Sequence, residues 1–360
     1  MHLKKLHLYQ FKNHENREFN FCSRLNCITG DNGVGKTNVL DAIHYLTHTK
    51  SYFSRQDSNI FMHSKEQFAV RGQLESNGND VDVSCGLILG GKKVVKKDGK
   101  KYKKISDFIG KINTVFITPT DILLIYESAD VRRRFLNMFI AQFNSSYLRS
   151  TINYNSLLDH RNKALKMMLE SGRRDATLIH TYNKKLNEYG KEIYRIRREF
   201  IQEFVVEFKE LFKSISSGIE EVDVHYQSDL TEEVAENFLD TTMEMDFAAG
   251  RTTRGVHRDD LKFIMNGEPL KSFGSQGQIK SFLIALKMAQ FQFLKKKTGD
   301  VPILLLDDIF EKIDDTRIKN LLALVEAKGF EQVFITDAHP ERCEHYLRDL
   351  EVEKQIILLE

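Results

Sequence analysis

An α/β chain with an antiparallel β subdomain and an inserted helical lobe is predicted by three features of the sequence. A short apolar run, Leu25-Asn26-Cys27-Ile28-Thr29, ends at a glycine-rich loop that opens a helix, the strand–loop–helix order of a parallel sheet. A second apolar run, Ile303-Leu304-Leu305-Leu306, ends on the acids Asp307 and Asp308. Between these runs, from about Ala129 to Ser216, proline is absent and Ile193, Ile196, Phe200, Phe204 and Phe208 recur at helical spacing, which predicts a helical lobe inserted into the main domain.

The remaining elements follow in order. Leu6, Leu8 and Phe11 alternate with polar neighbours as in a strand, and Val39, Ala42, Ile43 and Leu46 mark one face of the helix after the glycine loop. Residues 68 to 117 return to period two, punctuated by Asn77-Gly78, Gly90-Gly91 and Asp98-Gly99, and predict a meander of antiparallel strands. Beyond Gly250 come a strand Leu261 to Met265, a hairpin turn Asn266-Gly267 and a helix Gln276 to Lys296. A helix near Arg317 to Ala327 and a strand Gln332 to Ile335 complete the pattern. The expected organisation is 1–128 for the first part of the sheet domain, 129–245 for the helical lobe and 246–360 for the return.

Composition limits the function classes. The chain has 360 residues, 41% hydrophobic and 29% charged, with 4 prolines, an ordinary globular balance. No apolar stretch approaches the roughly 20 residues of a membrane span, and the opening turns polar too soon for a signal peptide; a cytoplasmic protein is expected. Cys22, Cys27, Cys85 and Cys343 are scattered without a CxxC pair and read as reduced, mostly buried thiols. Net charge is only +2, so any polyanion would have to meet clustered rather than average charge.

Three motifs carry the chemistry. Gly30-Asp31-Asn32-Gly33-Val34-Gly35-Lys36-Thr37 fits G-x-x-x-x-G-K-[ST]. Gly30, Gly33 and Gly35 let backbone N–H groups of the loop, Asn32 and Asn38 included, wrap a phosphate, with the helix N-terminus behind them. Lys36 would reach the β- and γ-phosphates of ATP and the Thr37 hydroxyl would ligate Mg²⁺. The acids after the second strand fit a nucleotide site too: Asp307 as a Mg²⁺ holder and Asp308 as the group that orients or deprotonates the attacking water. Asp308 could in part cap the following helix, but the apolar strand before it and the P-loop upstream favour the catalytic reading. Ser275-Gln276-Gly277-Gln278 opens an amphipathic helix; it is either a second anion site, for the nucleotide of a partner subunit, or a plain helix cap.

The ordered set GDNGVGKTN, RRRFLN, HRDDL, FGSQGQIKS and LLLDDIFEKID resembles the RecF family of bacterial recombination mediators, ABC-type ATPases related to SMC proteins, and the resemblance spans essentially the whole chain. It implies an ABC-type P-loop ATPase head with a helical second lobe, dimerising head to tail around two ATP molecules. Lys36 and Thr37 then match the Walker A ligands, Asp307 the Walker B aspartate and Asp308 the catalytic acid. Ser275, Gln276 and Gly277 match the signature motif facing the other subunit's γ-phosphate, and Asp314 the D-loop aspartate at the dimer interface. Three departures stand out: Asp308 where most ABC enzymes have glutamate, Val256 where the family commonly has proline, and His339 placed later than the usual switch histidine. The shorter acid implies slow turnover.

Two basic clusters are candidates for a DNA contact. Lys92, Lys93, Lys96, Lys97, Lys100, Lys101, Lys103 and Lys104 lie on an expected hairpin turning at Asp98-Gly99. They would meet phosphates without base reading, or merely protect a sheet edge. Arg132-Arg133-Arg134 begins a helix, where cations are disfavoured, so an acid, nucleotide or DNA must compensate them. Arg195, Arg197 and Arg198 read as a solvated helix face. The resemblance implies a weak, DNA-stimulated ATPase that clamps double-stranded or gapped DNA as an ATP-dependent homodimer. It also implies recombinase loading in DNA repair, with RecO and RecR as partners. The rival reading is a nucleotide-gated adaptor that contacts protein.

Overall fold

The computed structural model describes residues 1–76, 78–216, 220–231, 237–309, 329–348 and 350–360. Its contacts form two compact units: Met1–Asp121 with Lys280–Glu360, and Ile122–Ile279. The return to the first unit therefore comes at Lys280, inside the helix that follows Ser275, and later than the residue 246 expected from sequence.

In the first unit, β1 (His2–Phe11), β2 (His14–Asn20), β4 (Gln67–Ser76), β5 (Asn79–Ile88), β6 (Val94–Lys97) and β7 (Lys100–Lys101) form an antiparallel sheet of order β2-β1-β4-β5-β6-β7. The strand β3 (Leu25–Thr29), wholly buried, belongs to a second, parallel sheet and leads into α1 (Lys36–His48). Leu6 and Leu8 of β1, Val70 of β4, Leu40 and Ile43 of α1, and Ile28 and Phe334 share one core, so the apolar faces of both sheets close on α1. The predicted meander ends at β7. The next strand, β8 (Thr114–Ile117), joins the parallel sheet instead. Its four residues are all buried, and a continuous apolar run is the mark of a parallel strand covered on both faces.

The second unit begins with α2 (Leu123–Tyr126), α3 (Ala129–Ala141), α4 (Ser145–Ser171) and α5 (Ala176–Ile215). Asn144 and Asp175 cap α4 and α5 by accepting the backbone N–H three residues on, the arrangement expected of good N-caps. Then follow β9 (Val222–Gln227), α6 (Phe238–Thr241), α7 (Met243–Ala249), β10 (Asp260–Met265), β11 (Glu268–Pro269) and α8 (Leu270–Phe273). Pairing of β10 with β9, from Asp260 opposite Gln227 to Met265 opposite Val222, keeps this segment in the second unit.

The helix α9 (Gln276–Thr298) carries the chain back. In the first unit β12 (Ile303–Leu306), β13 (Val333–Asp337) and β14 (Lys354–Leu358) complete a five-stranded parallel sheet of order β14-β3-β13-β12-β8, and α10 (Pro340–Leu347) follows β13. The predicted helix 317–327 and the D-loop residue Asp314 lie outside the described residues. Cys27 of β3 and Cys343 of α10 come together across 316 residues of sequence, with Cα atoms 6.8 Å apart. Cys22 and Cys85 stay free. No helix among the described residues is long and apolar enough to cross a membrane.

Candidate nucleotide site

The strand order explains why two distant motifs meet. β3 delivers the glycine loop, β12 delivers the acids, and β13 lies between them. Because all three strands run parallel, their carboxyl ends come out on one edge, where open α/β sheets bind ligands.

The loop from Gly30 to Gly35 is shaped by glycines with positive φ: 143° at Gly30, 90° at Gly33 and 106° at Gly35. Side chains are excluded for a second reason at two of these positions. A Cβ on Gly30 would lie 2.3 Å from the Leu359 carbonyl oxygen, and one on Gly35 2.4 Å from Asn13 Nδ2. Lys36 is buried, and its Nζ donates to the carbonyls of Gly30 at 2.7 Å and Asp31 at 2.9 Å. Asn32 and Gly33 are exposed at the tip. The side chain of Asn38 is tied to the β1–β2 turn: its Oδ1 accepts from Lys12 Nζ at 3.1 Å and its Nδ2 donates to Asn13 Oδ1 at 2.8 Å.

Asp307 is the hub. Its Oδ1 accepts from Thr37 Oγ1 at 2.8 Å and from Thr336 Oγ1 at 2.7 Å, and it is 5% exposed. Burial pushes its carboxyl up to about 6, against the pull of the two threonine hydroxyls, with the neighbouring Asp308 charge adding to the rise. Low exposure disfavours the ionised form, so this carboxylate suits a site where a cation supplies compensating charge. Asp308 has φ of 46°, a left-handed conformation that costs most residues energy but that aspartate tolerates better than most. Its N–H donates to Thr336 Oγ1 at 3.0 Å. Thr336 thus holds both acids at once.

Thr336 is the residue that sequence reasoning missed. Its role arises from the register of β13 beside β12, where Leu306 pairs with Ile335, and nothing local in Phe334-Ile335-Thr336-Asp337 announces it. Sequence reasoning also misses the turn residues Lys12 and Asn13, and His14 at the start of β2. Asn13 Nδ2 donates to the Val34 carbonyl at 3.0 Å and His14 Nε2 lies 3.2 Å from the Gly35 carbonyl oxygen. Burial lowers the pKa of His14, which favours the uncharged ring beside the loop. His339, exposed, stands at the N-cap position of α10 without a side-chain cap bond.

The donor set fits its expected ligands. A hydroxyl and a carboxylate oxygen 2.8 Å apart are hard oxygen ligands of the kind Mg²⁺ takes, and Thr37 and Asp307 are the two that would hold it. The glycine loop on the N-terminus of α1 fits a polyphosphate.

In the second unit, Ser275 and Gln278 bond reciprocally: Ser275 N–H donates to Gln278 Oε1 at 2.8 Å, and Gln278 N–H to Ser275 Oγ at 3.3 Å. This is a capping box, so the helix-cap reading of Ser275 holds at the level of contacts. Ser275 and Gln276 are nevertheless exposed, with Gly277 partly so, at the head of a helix whose middle is buried.

The lysine hairpin exists, with Lys96 opposite Lys101 and Lys97 opposite Lys100 across the turn at Asp98-Gly99. Lys92, Lys96, Lys100, Lys101, Lys103 and Lys104 are exposed and Lys97 is half-buried. Lys93 differs. Its Nζ bonds the Thr49 carbonyl, pairs with Asp57 at 2.8 Å and sits 4.8 Å from the Tyr45 ring centre, so its side chain is committed to internal contacts. Arg132 finds an acid as its partner, pairing with Asp260 through both Nε and Nη2 at 2.6 and 3.0 Å. Arg197 overturns the solvated-face expectation: it is 2% exposed and pairs with Asp259 at 2.6 Å. Arg195 remains on the exposed face, paired with Glu199.

A P-loop beside a Thr–Asp–Thr hub, with strand order β3-β13-β12 between them, defines a nucleotide-binding head of the ABC/SMC class. A family profile described as RecF/RecN/SMC N terminal domain matches residues 2–355. Among curated proteins, the chain is 44% identical over 344 residues to the DNA replication and repair protein RecF of Flavobacterium johnsoniae, covering 96% of each chain. It is 38% identical to that of Phocaeicola vulgatus, covering 100% of this chain and 97% of the relative. The chain belongs to the RecF family of DNA replication and repair proteins. Among solved structures, it superposes with a TM-score of 0.88 on the recombination mediator protein RecF-ATP in the RecFOR pathway, at 29% identity, covering 99% of this chain and 95% of that one. An SMC head bound to the C-terminal winged-helix domain of ScpA shares the fold, with a TM-score of 0.54 at 15% identity over 96% of this chain and 92% of that one.

Proposed function

We propose that this protein is an ATP-driven DNA clamp of recombinational repair and replication-fork maintenance in the cytoplasm. ATP binds at the loop Gly30–Thr37 with Asn38 beside it, and Ser275, Gln276 and Gly277 of a second copy close on its γ-phosphate. Mg²⁺, held by Thr37 and Asp307, neutralises charge on the phosphates when bound. Lys36 supplies the positive charge that the β- and γ-phosphates require. Asp308, held by Thr336, orients the attacking water, and its short side chain makes turnover slow; DNA stimulates this weak activity. The closed dimer holds double-stranded or gapped DNA; hydrolysis reopens it, and RecO and RecR take part in loading recombinase.

The reading is carried by the hub at Asp307, which gathers Thr37 of the glycine loop and Thr336 of β13 on one buried oxygen. The exposed opening of α9 supports a partner in trans. For the DNA contact, the support is the hairpin, where Lys96 and Lys101 stand directly opposite each other. Like charges so placed cost stability, and a polyanion would relieve the cost. Lys92, Lys97, Lys100, Lys103 and Lys104 extend that basic face.

The test is the mass in solution with and without ATP and Mg²⁺ for wild type, Lys36→Met and Ser275→Arg. Wild type doubles in mass with ATP, and both variants stay monomeric. A wild type that binds ATP yet stays monomeric, even with duplex DNA present, refutes the sandwich dimer and leaves a nucleotide-gated adaptor.

A further inference from the structure

The loop between α7 and β10, residues 250–259, is built with more internal bonding than a connector needs. Asp246, fully buried, accepts from the N–H of Thr253 at 2.8 Å and its hydroxyl at 2.6 Å, and pairs with the equally buried Arg161 at 2.7 Å. Arg161 also donates to Thr252 Oγ1 at 2.8 Å, while Asn162 Oδ1 accepts from both the N–H and the hydroxyl of Thr252. Further along, Arg197 donates to the Val256 carbonyl at 2.8 Å and Tyr154 OH meets His257 Nδ1 at 3.0 Å. Gly255, with φ of 124°, has a backbone that passes so close to Tyr154 that a Cβ would lie 2.7 Å from its hydroxyl. Buried ion pairs bring little net stability because desolvation offsets their attraction. Two of them spent on one loop favour fixed geometry over stability as the gain.

What the loop presents is one-sided. Arg251, Arg254 and Arg258 are exposed, and among the described residues none of their guanidinium groups has an ion pair or hydrogen bond. The two acids that follow are consumed inside the unit: Asp259 by Arg197 and Asp260 by Arg132. The arginines are therefore left as uncompensated charge on a rigid support. Guanidinium forks match phosphate oxygens in pairs and shed water more readily than ammonium groups, and sites on a fixed scaffold hold their ligands with less ordering cost.

We propose that the 250–259 loop is a second DNA-backbone contact, in which Arg251, Arg254 and Arg258 grip phosphates of duplex DNA independently of sequence. This rests on the reading of the protein as a DNA clamp. It adds a contact on the second unit, separate from the lysine hairpin.

The test is fluorescence anisotropy of a labelled mixed-sequence duplex with ATP and Mg²⁺ over a salt series. Wild type is compared with the triple variant Arg251→Gln, Arg254→Gln, Arg258→Gln and with Thr253→Ala, which loosens the loop but keeps its charge. At about 0.15 M salt the triple variant binds at least about 10-fold more weakly, and its plot of log affinity against log salt is shallower by about two to three. Thr253→Ala loses less, about threefold, with the slope unchanged. If wild type binds DNA and the triple variant matches it in affinity and slope, the loop proposal is overturned while the clamp reading survives. Absence of binding by wild type sinks both. A triple variant that loses ATP-driven dimerisation but keeps monomer DNA affinity also overturns the assignment, because the arginines then serve the contact between copies.

Discussion

Asp307→Asn unfolds at a higher temperature than wild type at pH 7.5 without nucleotide, and hydrolyses ATP about a hundredfold more slowly or worse. Both effects have one cause. The carboxyl has an ordinary value of 3.8 and rises to about 6 in the fold, mainly through burial. Between those values the folded chain holds more protons than the unfolded one, so stability falls as pH rises from about 4 to 6 and stays reduced above that. A shift of about two pH units corresponds to at most about 3 kcal/mol. Asparagine removes the charge and keeps Oδ1, the atom that accepts from both Thr37 and Thr336. The variant's advantage in thermal unfolding therefore disappears near pH 4, where wild type is also neutral. An equal melting temperature for the two proteins at pH 7.5 would count against a buried, uncompensated Asp307.

Arg197→Met lowers the stability of the helical unit by about 3–5 kcal/mol, the usual result of stranding one member of a buried ion pair. Arg197 braces three segments: it donates to Asn137 of α3 at 2.9 Å, Tyr147 of α4 at 2.9 Å, and the Val256 carbonyl and Asp259 in the loop before β10. The loss is read from the urea midpoint by circular dichroism, since the chain has no tryptophan. Arg197→Met combined with Asp259→Leu recovers most of it, because an apolar pair avoids the stranded charge. If the single substitution shifts the midpoint no more than Arg195→Met on the exposed face does, Arg197 is not the brace described.

The misreading of Arg197 and the omission of Thr336 share a physical origin. Glycine loop, acidic strand and capping box are local: their residues lie within one element, and the chemistry follows from spacing alone. The helix around residue 197 shows the apolar positions Ile193, Ile196 and Phe200, and Arg197 falls beside that stripe. Whether it is buried depends on Asp259, 62 residues away. RRRFLN and HRDDL stood as separate motifs in the sequence, yet Arg132 and Asp260 are partners across 128 residues. Such long-range pairings have no spacing rule. The strand Thr114–Ile117 is a different case: its unbroken apolar run was a legible sign of a parallel strand, and turn spacing outweighed it. The meeting of Cys27 and Cys343 depends on β3 and β13 being neighbours in the sheet, which the order of motifs alone does not state.

The central claim, that ATP closes the protein on DNA and hydrolysis lets go, is tested most directly by the release of a labelled gapped duplex after a chase with unlabelled DNA. Wild type with ATP and Mg²⁺ should release the duplex at the rate at which it hydrolyses ATP, and Asp308→Asn should hold it at least about tenfold longer. Identical release from wild type and Asp308→Asn, with hydrolysis abolished only in the variant, would contradict the clamp and leave a protein in which nucleotide gates assembly alone.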